Sequence, residues 1–120
     1  MRYMLLIVEP PGQRSTRTLA EGQAAYDSMR RFGEQLQQRG QLVAVESLAS
    51  TTSATRVARQ GDKVTLLDGP FAEAKEMVGG FFMIDVASRE QALAIAAECP
   101  AAQWCQVEVR PLAPCYDDSV

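Results

Sequence analysis

The pattern of apolar and polar residues along the chain predicts four β-strands of one sheet. Tyr3–Val8 and Gly80–Val86 are apolar at both alternating sets of positions, which is typical of strands covered on both faces. Leu42–Leu48 also alternates but carries Glu46 on one face, and Gln106–Pro111 alternates valine with charged residues. We expect Gly80–Val86 to be a central strand.

Two further strands flank a tight turn. Thr55–Gln60 and Lys63–Leu67 are separated by Gly61-Asp62, a two-residue connection of the kind that adopts positive φ in a β-hairpin. The sequence therefore predicts a hairpin that is exposed on one face.

Apolar residues at three- and four-residue spacing predict an amphipathic helix over Leu19–Arg39, which ends at Gly40. A second helix is predicted over Arg89–Glu98. Its capping box has Ser88 accepting from the backbone N–H of Gln91 while the Gln91 side chain reaches back.

The predicted order is strand, helix, strand, two hairpin strands, strand, helix, strand. This is a ferredoxin-like βαββαβ plan of the α+β class with an added β-hairpin, in a single domain over residues 1–120. Two helices cover only one face of such a sheet, so apolar residues remain on the other face. We therefore expect a homodimer formed by sheet-to-sheet packing.

Composition and charge narrow the classes of function. The chain has 120 residues, of which 47% are hydrophobic and 22% charged, which is typical of one soluble globular domain. Its net charge of -3 argues against direct binding of nucleic acid, which needs clustered Lys and Arg. The first apolar run ends at Glu9-Pro10, too soon for a signal peptide or membrane span, so we expect a cytoplasmic protein without membrane contact.

The sequence offers little for metal or cofactor chemistry. Cys99, Cys105 and Cys115 lack the paired spacing of a zinc or redox site, and we expect them to be reduced thiols. The chain contains no histidine, and it has no phosphate-binding glycine loop. We expect no metal and no cofactor.

Turn-forming and ionisable residues concentrate in the run Asp68–Glu76, between two apolar stretches, and charged loops beside strands are candidate sites. Asp68 has two interpretations. Its carboxylate either accepts backbone N–H groups in an Asx-type turn, or it lies at the mouth of a cleft and shuttles a proton together with Glu46. We select Asp68, Glu46 and Glu76 as candidate catalytic residues.

Four other residues are candidate ligand contacts. Lys75 is a candidate anion anchor beside Glu76, although such mixed charges are also typical of a solvated surface. Gly79-Gly80 allows close approach of a ligand to the backbone or marks a bulge. Arg110 is a candidate ligand contact and also a candidate ion-pair partner of Glu46.

We expect three aromatic residues to have packing roles. Tyr3 and Phe82 are expected to pack the sheet rather than stack on a ligand, and Trp104 is expected to pack over a helix end.

Several ordered motifs together resemble one known family. They are Met1-Arg2-Tyr3-Met4-Leu5-Leu6-Ile7, Gly40-Gln41-Leu42-Val43 leading to Glu46-Ser47-Leu48, Asp68-Gly69-Pro70-Phe71 with Glu73, Lys75 and Glu76, Gly79-Gly80-Phe81, and Val107-Glu108-Val109-Arg110-Pro111. In this combination the chain resembles the YCII-related family, and specifically its DGPF subgroup. The resemblance implies a dimeric ferredoxin-like α+β fold.

The resemblance also implies two kinds of activity. Simpler members of the family look like acid-base enzymes with a first-helix histidine, at a position that falls near Met29 here, paired with an aspartate. Because this chain has no histidine, that mechanism does not carry over, and lyase- or isomerase-type chemistry would fall to carboxylates and lysine. DGPF-type domains also occur alongside extracytoplasmic-function sigma factors.

Two hypotheses follow. The first is a small dimeric, cofactor-independent enzyme or small-molecule-binding protein with a cleft formed by Asp68, Glu46, Lys75 and Glu76. The second is a non-catalytic interaction or regulatory module associated with an extracytoplasmic-function sigma factor.

Overall fold

A computed structural model describes all residues, Met1–Val120, and contains the predicted strands and helices in the predicted order. The elements are β1 (Arg2–Glu9), α1 (Leu19–Gln38), β2 (Leu42–Ser47), β3 (Thr55–Gln60), β4 (Lys63–Asp68), β5 (Met77–Asp85), α2 (Arg89–Glu98) and β6 (Gln106–Pro111). Short 3₁₀ turns occupy Arg14–Thr16, Thr51–Ser53 and Pro100–Gln103. The largest difference from the prediction is at the start of β5, which begins at Met77 and not at Gly80.

Four strands form an antiparallel sheet in the order β2-β5-β1-β6. Each helix connects two strands that are not adjacent, with a third strand lying between them. This arrangement is the ferredoxin-like plan, so the predicted fold class is confirmed. The central position predicted for β5 is also confirmed.

The hairpin β3–β4 is a separate two-stranded sheet. Gly61 at its turn has φ +60, as the two-residue connection predicted. All residues of both strands are exposed, on both faces and not on one as expected. The radius of gyration is 16.3 Å, against about 14 Å for a compact domain of this length, because the hairpin projects from the domain.

The core lies between the sheet and the helices. On the helix side of β1, Tyr3 and Leu5 are buried, and they lie beside Phe82 and Ile84 of β5. Phe32 of α1 meets Phe82 edge-on, with ring centroids 5.2 Å apart. The predicted packing roles of Tyr3 and Phe82 are confirmed.

No helix covers the opposite face of the sheet. Five apolar residues on this face are only partly buried: Met4, Leu6, Val8, Phe81 and Met83. We call these five residues the open sheet face.

Both helices begin with side-chain caps. Thr18 forms a capping box with Glu21 at the start of α1, a cap that the sequence analysis did not identify. At α2, Ser88 accepts from the N–H of Gln91 at 3.2 Å as predicted, but the Gln91 side chain accepts from the N–H of Ala87, the residue before the cap. None of the helices combines the length and hydropathy needed to cross a lipid bilayer.

Candidate functional site

A cavity of about 480 Å³ lies between α1 and the helix-facing side of the sheet. Strands β1, β2 and β5 form its floor, α1 forms one wall, and Trp104 lies in another. Sites for small organic molecules span about 300–1,000 Å³. The volume therefore fits a small metabolite.

The sequence of α1 explains why this space is open. The helix presents Gly22, Ala25 and Gly33 to the cavity, residues with little or no side chain. A Cβ at Gly33 would lie 3.4 Å from the ring of Phe82, so the helix approaches the sheet closely there. Met29 projects from the same face, and it lines the cavity with its sulfur 3.8 Å from that of Cys99.

Glu9 is a buried carboxylate in the floor of this cavity. It continues the inward-facing series of Leu5 and Ile7 on β1, and it is only 5% exposed. Its Oε1 accepts from Nε of Arg14 at 2.6 Å. Its second oxygen, Oε2, accepts no hydrogen bond from the protein, so one acceptor atom at this buried position is free.

Arg14 ties the ends of three strands together. Besides its bond to Glu9, it donates through Nη1 to the carbonyl of Leu48 at 2.8 Å and through Nη2 to the carbonyl of Gly79 at 3.2 Å. Every nitrogen of the guanidinium is therefore engaged. The geometry assigns Arg14 to holding Glu9 in place.

Gly79 is the extra residue of a β-bulge in β5. Ile7 pairs with Gly80 and Val8 pairs with Val78, so Gly79 is left unpaired. A Cβ at Gly79 would lie 2.6 Å from Oε2 of Glu9 and 2.7 Å from Nη2 of Arg14. Of the two interpretations of this glycine pair, the bulge is confirmed, and it makes room for the ion pair.

Arg17 is a second cavity residue with a different environment. Its guanidinium carbon lies 5.5 Å from the centroid of the Trp104 ring, a cation–π distance. Its side chain makes no ion pair with any carboxylate in the chain, unlike Arg14 and Arg30. The Trp104 backbone is held by Gln13, whose Nε2 donates to its carbonyl at 2.7 Å.

Three of the residues predicted from sequence line this cavity: Glu46, Gly79 and Gly80. Strand alternation directs Glu46 away from the helices, because Glu46 pairs with Phe81 on the open face whereas its neighbour Val45 pairs with the buried Phe82.

The other four predicted residues, Asp68, Lys75, Glu76 and Arg110, lie outside the cavity and are exposed. The ion pair of Glu46 with Arg110, one of the two interpretations of Glu46, does not form. Their strands β2 and β6 are the opposite edges of the sheet, three strand spacings or about 14 Å apart. Arg110 lies instead 3.9 Å from Glu108 of its own strand.

The run beginning at Asp68 builds the base of the hairpin. Asp68 Oδ1 accepts from the hydroxyl of Thr55 at 2.8 Å, on the strand opposite. A Cβ at Gly69 would lie 1.8 Å from the carbonyl oxygen of Thr51, so only glycine fits there. The Gly69–Pro70 peptide is cis. These contacts favour the turn interpretation of Asp68, with a hydroxyl and not a backbone N–H as its partner.

The rest of this run also faces away from the cavity. The Arg56 guanidinium carbon lies 3.7 Å from the centroid of the Phe71 ring, which closes the hairpin base. Lys75 forms no ion pair, and Glu76 borders a second, shallower depression beside β6 and α2. The structure thus does not bring Asp68, Lys75 and Glu76 together with Glu46.

The three cysteines are free thiols. Burial raises the pKa of Cys99. Burial also raises the pKa of Cys105, and the negative charge of Glu9 adds to that effect. No group of three or more His, Cys, Asp or Glu side chains is close enough together to hold a metal ion.

Sequence reasoning missed Glu9, Arg14 and Arg17. The signal for Glu9 was present, because a carboxylate on the inward-facing side of an apolar strand needs a partner. The arginines lie in a polar loop whose path the periodicity of the sequence does not describe.

Comparison with known proteins adds two findings. A family model for the YCII-related domain matches residues 1–115. An uncharacterized protein of Rhizobium meliloti (strain 1021) is 41% identical over 76 residues, which cover 62% of this chain and 61% of that relative. The matched region thus spans about three fifths of the relative's length.

Proposed function

Since the chain belongs to the YCII-related family, we propose that it binds a small molecule in the cavity beneath α1 and that Glu9 acts there as proton or hydrogen-bond acceptor. The site needs no cofactor in this proposal. The chemistry would be of a lyase or isomerase type, in which a positioned carboxylate removes or relays a proton.

One observation carries the proposal: Oε2 of Glu9 is a free acceptor on a buried side chain that lines a ligand-sized cavity. A ligand in the cavity can donate a hydrogen bond or a proton to this oxygen. Arg14 and the bulge at Gly79 fix the position of this carboxylate before any ligand arrives, which is the preorganisation that catalysis requires.

The family resemblance supports the same location. It implies a first-helix histidine near the position of Met29, and Met29 lines this cavity. In a chain without histidine, Glu9 supplies an acid-base group in the same space.

A thermal-shift screen of metabolites tests the proposal, with wild type, Glu9→Gln and Asp68→Asn each compared with its own ligand-free state. A ligand that binds only the folded state raises the melting temperature. We expect hits shared by wild type and Asp68→Asn and weakened in Glu9→Gln. Hits that are lost in Asp68→Asn and kept in Glu9→Gln would move the site to the hairpin base.

We also propose that two copies associate through the open sheet face. Met4, Leu6 and Phe81 are partly exposed there although they lie on the two central strands. Apolar patches of this kind mark protein interfaces, and two-fold dimers are the commonest assemblies.

The second candidate function, binding of an extracytoplasmic-function sigma factor, is supported by the hairpin. One of its faces carries Val57, Val64 and Leu66, and Val57 and Leu66 are 67% and 68% exposed. Such a face fits an apolar partner surface. A pull-down of such a sigma factor that is lost with Leu66→Lys and kept with Glu9→Gln would favour this candidate.

A further inference from the structure

The charged residues that line the cavity are three arginines and three glutamates: Arg14, Arg17, Arg30, Glu9, Glu34 and Glu46. Arg14 is paired with Glu9, and Arg30 is paired with Glu34. Arg17 and Glu46 line the same cavity without an ion pair, but strand alternation directs the Glu46 side chain to the open sheet face. Arg17 is therefore a half-buried guanidinium in the cavity wall without an ion-pair partner.

We propose that the ligand is a small organic acid whose carboxylate binds Arg17 and whose apolar body fills the cavity. This rests on the proposed function of the cavity. The planar guanidinium of arginine presents parallel N–H donors that match a carboxylate. The cation–π contact with Trp104 holds the guanidinium against the aromatic wall of the cavity.

The rest of the lining supports an apolar body. Met29, Phe82, Leu42 and Trp104 offer hydrocarbon, sulfur and aromatic surface around the space between helix and sheet. An uncharged apolar molecule would leave Arg17 without a partner, and a fully polar molecule would leave this wall without contacts.

The surroundings of Arg17 favour a single negative charge over a phosphate dianion. At the neighbouring N-terminus of α1, Thr18 accepts from the N–H of Glu21 and the Glu21 side chain accepts from the N–H of Thr18. The Glu21 carboxylate also places a negative charge at this end of the helix. A phosphate would meet one free guanidinium and a nearby anion.

Binding of phenylacetate, phenylacetamide and 2-phenylethylamine tests the proposal, because the three compounds differ mainly in charge. Trp104 is the single tryptophan of the chain, so its fluorescence reports the site directly. We expect phenylacetate to bind about tenfold more tightly than phenylacetamide, the effect of one charge-assisted hydrogen-bonded contact. The amine should bind worst, and inorganic phosphate should not compete.

Two variants test whether Arg17, and not the cavity as a whole, causes the preference for a carboxylate. Arg17→Gln should remove the preference for phenylacetate over phenylacetamide. The matched control Arg89→Gln, an exposed arginine outside the cavity without an ion pair, should keep it. Melting-temperature shifts provide a second readout, since Arg17→Gln also changes the surroundings of the fluorophore.

The outcomes distinguish the two proposals. Equal binding of acid and amide, a preference that survives Arg17→Gln, or competition by phosphate would overturn the role of Arg17 while leaving the cavity as a binding site. Failure of all three compounds to bind at millimolar concentration would contradict the binding function of the cavity itself.

Discussion

Glu9 and Arg14 form the most deeply buried ion pair of the protein, with 7% and 34% of their side chains exposed and Nε 2.6 Å from Oε1. The partners of every other ion pair are far more exposed. Because Arg14 also bonds the carbonyls of Leu48 and Gly79, the pair joins the floor of the cavity to the ends of β2 and β5.

Replacing Gly79 with alanine should destabilise the protein. The new Cβ would lie within 2.7 Å of both members of the ion pair, so these side chains or the bulge must shift. Overpacking of this kind costs about 1–3 kcal/mol, measurable by urea denaturation.

The matched control for Gly79→Ala is Gly22→Ala, where a Cβ meets nothing within 4 Å and the helix interior favours alanine by about 0.5–1 kcal/mol. This control should be at least as stable as wild type. Equal stability of the two alanine variants would contradict the tight contact at Gly79.

Arg14→Gln should cost more stability than Glu9→Gln. The first change leaves a buried carboxylate without its partner, at a cost of about 3–5 kcal/mol. The second leaves an arginine that still bonds two backbone carbonyls.

The double variant, Glu9→Gln with Arg14→Gln, tests whether the two side chains stabilise the fold through their ion pair. Its loss of unfolding free energy should be smaller than the sum of the single losses, because each single change already removes the ion pair. Additive losses in urea titrations would show that the two residues stabilise the fold independently.

Leu6→Lys should dissociate the proposed dimer. Leu6 lies on central strand β1 with Phe81 opposite it on β5, so a charge there would be buried between two sheets. Sedimentation at micromolar concentration should give twice the 13.1 kDa monomer mass for wild type and the monomer mass for the variant.

Gln103→Lys adds the same charge at an exposed site away from this sheet face and should sediment like wild type. A monomeric wild-type protein would contradict association through the open sheet face.

Alkylation should reach the cysteines in a fixed order. Cys115 is exposed, whereas burial raises the pKa of Cys99 and Cys105 and reduces their thiolate fractions near pH 8. Iodoacetamide labelling followed by peptide mass spectrometry should therefore modify Cys115 first.

The raised thiol pKa values of Cys99 and Cys105 also make the stability of the fold depend on pH. A raised thiol pKa means that the folded state holds its protons more tightly than the unfolded chain does. This contribution is complete below the ordinary thiol pKa of about 8.5 and is lost as pH rises above it.

Labelling of Cys105 as fast as Cys115 in the native protein would contradict the burial described for Cys105.

The sequence predicted the architecture well because its signals are local. The apolar series of β1 and β5, the Gly61 turn and the serine cap of α2 each follow from neighbouring residues, and the structure agrees with them. The bulge at Gly79 shows the limit of local patterns, since it moves the start of β5 by three residues from its predicted position.

The candidate site was harder to predict because tertiary contacts create it. Asp68 stands out in the sequence as a charge beside turn formers, yet its partner is a hydroxyl across the hairpin. Glu9 looks like the end of an apolar run, and only the order of strands in the sheet brings the Leu48 and Gly79 carbonyls to Arg14.

The hairpin β3–β4 contributes none of the 13 side chains of the hydrophobic core and is attached mainly at its base. Two-stranded hairpins are at best marginally stable on their own. In a free monomer its backbone amides should therefore exchange with solvent through local opening, hours before those of β1 and β5. Slower exchange of the hairpin amides in an assembly than in the free monomer would measure how strongly a partner surface stabilises the hairpin.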